Sequence, residues 1–191
     1  HERTPETDAY LYAQADAVRR EVYGNAVYLR GLIEISNICK NDCLYCGIRR
    51  SNGAASRYRL TLEDLLACCA HGYALGFRTF VLQGGEDPYY TDERMESIIR
   101  KIKKGWPDCA LTLSIGEKSY DSYKRFKEAG ADRYLLRHET ADAVHYGQLH
   151  PETQKLSERM DCLWNLKKLG YQVGAGFMVG SPGQTDDCLA E

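Results

Sequence analysis

No apolar run in the sequence comes near the length needed to span a membrane. The opening residues, from His1 to Asp8, are charged and polar where a secretion signal would carry an apolar core. Nor is there an excess of one charge: 25 basic side chains face 27 acidic ones, and no basic block exceeds Arg49-Arg50 or Lys103-Lys104. Without a basic stripe there is no electrostatic footprint for nucleic acid. The 14 tyrosines are scattered rather than gathered on one face, which removes base stacking as well. Neither a membrane nor a nucleic acid is expected as a partner. A closed metal site is also one ligand short: Cys39, Cys43 and Cys46 fall within eight residues, and structural zinc takes four ligands. Cys68, Cys69, Cys109, Cys162 and Cys188 lack ligand-like spacing and read as small buried side chains. With three cysteines crowded into one loop, a disulfide scaffold does not fit, and a reducing cytoplasm is the expected setting.

What is present is an alternation of short β-branched runs with longer stretches of helical period, the pattern of parallel βα units. An opening helix is expected over about Pro5 to Tyr23. Strands are expected at about Val27 to Ser36, Phe77 to Leu82, Ala110 to Ile115, Arg133 to Arg137 and Tyr171 to Val179. Between them the helical stretches are Thr61 to Leu75, Thr91 to Lys104, Ser119 to Ala129 and one within Thr153 to Leu169. Thr61 with Asp64 has the form of an N-capped first turn, while Gly76, Gly105, Gly130 and Gly170 stand where helices should stop. The length suits one domain with a substantial core. The expected division is an amino-terminal helical segment, 1–26, and a core, 27–191. The sequence begins at His1 rather than a methionine and ends at Glu191 just as a new helical pattern opens, so it is expected to be a fragment.

Repeated βα units fit either an open doubly wound sheet or a barrel. Chemically unusual groups follow each strand: Cys39 to Cys46, then Gly84, Gly85 and Glu86, then Ser114, Gly116 and Glu117, then Arg137, His138 and Glu139, then Gly180 to Gly183. Functional groups gathered at one rim favour the barrel, here a partial one of about five βα units plus the amino-terminal helix. Three thiolates on an iron-sulfur cube would leave one iron open to a ligand that is not protein. The plainer alternative is a non-catalytic module, holding zinc completed by His71, His138, His145 or His150, or a passive iron-sulfur cluster.

Cys-x3-Cys-x2-Cys after the first strand of a βα series resembles the radical S-adenosylmethionine superfamily, whose core is a TIM-like barrel. The resemblance implies a 4Fe-4S cluster on the metal ligands Cys39, Cys43 and Cys46, and S-adenosylmethionine chelated to the open iron and cleaved reductively to a 5'-deoxyadenosyl radical. It implies cofactor contacts from Tyr45 near the adenine, from the turn Gly84, Gly85 and Glu86 to the amino group, from Glu139 to the ribose and from Arg159 to the carboxylate. Ser114, Glu117 and Arg137, at the same rim, are then left for substrate.

Longer blocks, Arg30 to Asn37, Arg78 to Asp87, Thr112 to Glu117, Asp132 to Ala141 and Gly170 to Gly180, are similar to those of the HydE family of FeFe-hydrogenase maturases. That likeness implies a role in assembling the diiron subcluster of the H-cluster. The substrate would be a small organometallic iron complex delivered by another maturase, and the cluster would need a reducing electron donor. Methylornithine synthase and biotin synthase are the natural rivals. Biotin synthase carries Tyr-Asn-His-Asn where this sequence runs from Tyr134 to Glu139 as Tyr-Leu-Leu-Arg-His-Glu, which counts against it.

Overall fold

The computed structural model describes residues 3–191, so the first two residues of the expected 1–26 segment lie outside the described residues. The elements follow in the order α1 (Pro5–Tyr23), β1 (Gly31–Ser36), α2 (Leu62–Ala74), β2 (Thr79–Gly84), α3 (Asp92–Gly105), β3 (Ala110–Ser114), α4 (Tyr120–Ala129), β4 (Arg133–Leu135), α5 (Ala143–Leu149), α6 (Leu156–Lys168), β5 (Gln172–Gly174) and α7 (Asp186–Ala190). All strand pairs are parallel, and the strands lie side by side in chain order, β1-β2-β3-β4-β5. A doubly wound sheet reverses its strand order at a switch point. This sheet never reverses, so each βα unit extends the same wall, and the result is a partial barrel.

The helix ends are chemically set. Thr61 and Asp64 form a reciprocal capping box at α2, and Thr91 and Ser119 cap α3 and α4 through their hydroxyls. After α2, α4 and α6 the chain turns at Gly76, Gly130 and Gly170, all at positive φ. In each case the next residue donates its N–H back to the carbonyl five residues earlier, as in Phe77 to Gly72. This is the Schellman arrangement, and it delivers the chain directly into the following strand.

Strand alternation divides the wall into two faces. Ile33, Ile35, Phe80, Leu82, Leu111, Leu113 and Tyr134 are buried against the helices, with Met95, Ile99, Ile102, Phe126 and Leu166. The opposite face is unusual for a barrel interior, where bulky branched side chains normally fill the lumen. One row across it reads Leu32, Val81, Thr112, Arg133, Gln172, and the next begins Glu34, Gln83, Ser114. Such mixed, largely polar rows leave space. A cavity of about 360 Å³ is bounded by Arg30, Thr112, Arg133, Gln172 and Gly174, and another of about 240 Å³ by Glu34, Asn37, Tyr58 and Gln83.

Beyond shifts of about two residues at β2 and β4, three details differ from the sequence expectation. The strand expected from Val27 starts at Gly31, because Gly31 is the first residue with a partner on β2, and Val27, Tyr28 and Leu29 lie 79%, 72% and 69% exposed. The strand expected over Tyr171 to Val179 is only three residues long. Beyond it the chain leaves the ladder: the Gly176 carbonyl accepts from the N–H groups of His138 and Glu139, and Met178 N–H donates to the Glu139 carbonyl. Helix α5 was not expected. Helix α1 buries no side chain of its own, and among the described residues no helix is long and apolar enough to cross a membrane.

Candidate functional site

The segment from Asn37 to Arg57 holds its shape through polar contacts rather than regular structure. Arg57 reaches four carbonyls at once, those of Asn37, Ile48, Arg49 and Asn52, at 2.6–3.1 Å. A planar fork with five donors suits that task. Arg50 N–H donates to the Asn41 carbonyl, Cys46 N–H to the Cys43 carbonyl, and Asn37 exchanges hydrogen bonds with Ser56 and Tyr58. The loop is therefore held by its own polar contacts, with Cys39, Cys43 and Cys46 partly exposed along it.

This loop and the glycine turn after β2 are built as one unit. Lys40 N–H donates to the Glu86 carbonyl, and Gly85 N–H donates to the Ser36 carbonyl. A Cβ on Gly85 would stand 2.7 Å from Cys39 Cβ and closer still to the Ile38 carbonyl oxygen, so only glycine permits the approach. Asp87 anchors the base. Its carboxylate accepts from Arg59 in two bonds of 2.7 and 2.9 Å and from the Ser36 hydroxyl at 2.7 Å. Burial works against the Asp87 carboxylate, but the bonds from Arg59 and Ser36 outweigh it and hold its pKa below the usual range. Glu86, which as a turn residue could have been solvated, is buried: it accepts from Glu117 N–H at 2.9 Å and lies 3.2 Å from Lys40 Nζ. Gly116, at φ 78°, leaves room for its side chain.

The far wall of the site comes from α5, a helix the sequence did not predict, and the residues after it. Leu44 N–H donates to the Leu149 carbonyl, and Tyr45 Oη lies 3.2 Å from His150 Nε2. The His150 ring stacks on Tyr146 with centroids 3.8 Å apart, and its Nδ1 lies 3.0 Å from the Tyr146 carbonyl. Cys43 Sγ–H donates to Gln154 Oε1 at 3.2 Å. Burial pushes the Cys43 thiol up to about 11. The only local sign of this wall is Asp142, which caps α5 by accepting from His145 N–H.

On the β4 side, Glu139 is the one non-glycine residue at positive φ among the described residues, at 69°. Its side chain is buried, and Oε2 has no aligned donor, although Arg137 Nη2 lies 3.2 Å away. Burial raises the Glu139 pKa against the pull of Arg137 and Arg159. A strained backbone carrying an underbonded buried carboxylate is a costly arrangement, of the kind retained for a ligand. Arg159, on α6, donates through Nε to Glu117 and through Nη1 to the Arg137 carbonyl at 3.0 Å. Burial opposes its charge, but Glu117 more than restores it and the guanidinium stays protonated. Glu117, expected to face substrate, is thus turned to Arg159. Ser114 lies at the end of β3 in register with Gln83, on the inner face.

Among the described residues, no three His, Cys, Asp or Glu side chains converge as ligands of a single metal ion. His150, one of the possible fourth ligands of the zinc alternative, has both ring nitrogens within hydrogen-bond distance of other groups. Three cysteines bound to different irons of a cube have no need to meet at one point.

A parallel βα wall with a three-cysteine loop after its first strand and a glycine turn after its second defines a class. The family described as the Radical SAM superfamily matches residues 33–191, and the chain belongs to it. The HydE subunit of the [FeFe] hydrogenase maturase from Thermotoga maritima is 48% identical over 181 residues, covering 95% of this chain and 51% of that protein. A 3-methylornithine synthase from Methanosarcina barkeri is 32% identical over 174 residues, 89% of this chain and 48% of the relative. The crystal structure of methylornithine synthase PylB superimposes with a TM-score of 0.91 at 29% identity, covering 99% of this chain and 56% of that one. The chain spans about half the length of the curated relatives it matches.

Proposed function

We propose that this chain is the cluster-bearing part of a radical S-adenosylmethionine enzyme that acts in assembly of the diiron subcluster of FeFe-hydrogenase. The observation that carries the reading is the joint between the cysteine loop and the Gly85 turn, where two segments far apart in sequence are fitted with no room for a side chain. Membership of the superfamily and the 48% identity to a HydE maturase supply the class of chemistry. On this reading Cys39, Cys43 and Cys46 hold a 4Fe-4S cluster, and residues 27–191 form the core behind an amino-terminal segment, 1–26. When bound, the reduced cluster would supply an electron to the sulfonium of S-adenosylmethionine and release a 5'-deoxyadenosyl radical.

The chain's own residues would orient the cofactor. Backbone groups of Gly84, Gly85 and Glu86 meet its amino group, at the turn that Gly85 packs against Cys39. Glu139 accepts from the ribose hydroxyls, which satisfies the oxygen that has no aligned donor. Arg159 spends two of its five donors inside the protein and keeps the rest for a carboxylate. Tyr45 is held by His150 at the cluster loop, where it can pack beside adenine. We assign Glu117 to holding Arg159, and leave Ser114 and Arg137 facing an organometallic iron substrate supplied by another maturase. A separate reductant must reach the cluster. The eight cysteines, all thiols, suit a reducing cytoplasm.

A methylornithine synthase-like activity is the second reading, favoured by the 0.91 TM-score. Both share the first chemical step, so that step is tested first. Replacing any one of Cys39, Cys43 or Cys46 by alanine is expected to abolish 5'-deoxyadenosine release under strong reductant. Retained release in any of the three variants refutes the cluster assignment. Offering the wild-type protein an iron carbonyl-cyanide complex or an amino acid then separates the two readings by which one consumes the radical.

A further inference from the structure

Gln154 sits in the short connection between α5 and α6, 111 residues from the cysteine with which it shares a hydrogen bond. Its backbone N–H donates to the Pro151 carbonyl at 2.9 Å, closing a turn that aims the side chain at the cysteine loop. The same stretch of chain grips the two following residues: Leu149 accepts from Leu44 N–H, and His150 meets the Tyr45 hydroxyl. Cys43, Leu44 and Tyr45 are thus docked one after another on a single support, and at Cys43 the contact is to sulfur itself.

We propose that Gln154 is a positioning residue for the cluster, donating its side-chain N–H to the Cys43 sulfur and raising the potential at which the cluster accepts an electron. The inference rests on the reading of Cys43 as an iron ligand.

As a free thiol, Cys43 donates to Gln154 Oε1. A metal-bound thiolate has no proton to give, and the amide meets it by turning over, so that Nε2–H points at sulfur in place of the oxygen. A 180° turn of a primary amide nearly exchanges the positions of O and N, so the same side-chain placement serves both states. A hydrogen bond to a ligand sulfur favours the more electron-rich, reduced cluster, and such contacts are among the levers that set iron-sulfur potentials.

The test is a redox titration of the anaerobically reconstituted cluster, followed by electron paramagnetic resonance, in wild type, Gln154→Leu and Gln154→Glu, with iron and sulfide measured in each. Gln154→Leu removes the donor at similar volume, and its midpoint potential is expected to fall below wild type with iron and sulfide content retained. Gln154→Glu removes the donor and adds a negative charge, and a larger fall is expected. An unchanged or higher potential in Gln154→Leu overturns the inference. So does a loss of cluster from Gln154→Leu accompanied by an unchanged potential in Gln154→Glu, which is the mark of a purely structural contact. Wild-type protein that takes up no iron and sulfide at all overturns the cluster reading beneath it, a result distinct from either of the others.

Discussion

Replacing Gly85 by alanine drives a methyl group into the cysteine loop. The added carbon would lie 2.7 Å from Cys39 Cβ and 2.9 Å from the Ile38 carbonyl carbon, with the carbonyl oxygen nearer still. Ordinary contact demands a separation of about 3.5–4.0 Å between carbons, so the two segments must part by roughly 1 Å. Neither can do so freely. Lys40 N–H is bonded to the Glu86 carbonyl and Gly85 N–H to the Ser36 carbonyl, and both bonds stretch when the segments separate. Overpacking of this kind costs about 1–3 kcal/mol. For a chain of this size that lowers the melting temperature by about 2–4 °C per kcal/mol, a loss of about 2–12 °C in all. On the proposed reading the larger effect falls on the cluster, because the displaced residue is Cys39, one of its assigned ligands. After anaerobic reconstitution, Gly85→Ala is expected to hold well under half the wild-type iron and sulfide. Gly47→Ala is the control, since a Cβ at Gly47, next to Cys46, meets nothing within 4 Å. Full cluster content and an unchanged melting temperature in Gly85→Ala would refute the idea that the close approach builds the site.

Two further perturbations probe the carboxylates. Burial raises the Glu139 pKa, so the folded protein holds that proton more tightly than the unfolded chain, and stability falls as pH rises from the unfolded to the folded value. Glu139→Gln is therefore expected to raise the denaturation midpoint at neutral pH and to flatten its pH dependence, while weakening S-adenosylmethionine binding in calorimetry; a lower midpoint with unchanged binding counts against the ligand role. Asp87 behaves in the opposite sense. Its pKa is depressed, so its contribution is present above the unfolded value and is lost as pH falls through the folded one. Asp87→Asn breaks the pair with Arg59 and is expected to lower stability by denaturant titration, by less than a fully buried pair would because the charge left behind, on Arg59, is 39% exposed. A cost within error of zero would show that Arg59 does not anchor the loop.

How far the sequence carried this picture depended on how local each cause was. Helix starts at Thr61, Thr91 and Ser119, and stops at Gly76, Gly130 and Gly170, were readable because capping is decided within a few residues. The βα alternation was readable for the same reason, and the rim position of the motifs pointed correctly to a barrel wall rather than a doubly wound sheet. The ends of β1 and β5 were not. Val27 to Leu29 have strand-like side chains, but a strand also needs a neighbour, and β2 supplies one only from Gly31 onward. At the other end, the ladder is interrupted after Gly174 and resumes only as single contacts of Gly176 to Met178 with the 138–139 backbone, an irregularity that side-chain pattern does not signal. Helix α5 escaped notice because its seven residues span barely two turns. At the site, the cysteine spacing and the Gly85 turn were visible in the sequence. Arg57 and Gln154 were not, and His150 was read only as a possible zinc ligand rather than as the support of Tyr45, since each acts through a tertiary contact that no spacing rule describes; the pairing of Glu117 with Arg159 likewise joins residues 42 positions apart.

The most direct test of the proposed chemistry is an electron paramagnetic resonance spectrum of the anaerobically reconstituted, reduced protein, recorded with and without S-adenosylmethionine. A reduced 4Fe-4S signal that shifts when S-adenosylmethionine is added is the predicted result, because three cysteines leave one iron for the cofactor to fill. A protein that binds zinc in place of iron, or a cluster whose signal is indifferent to S-adenosylmethionine, would contradict it.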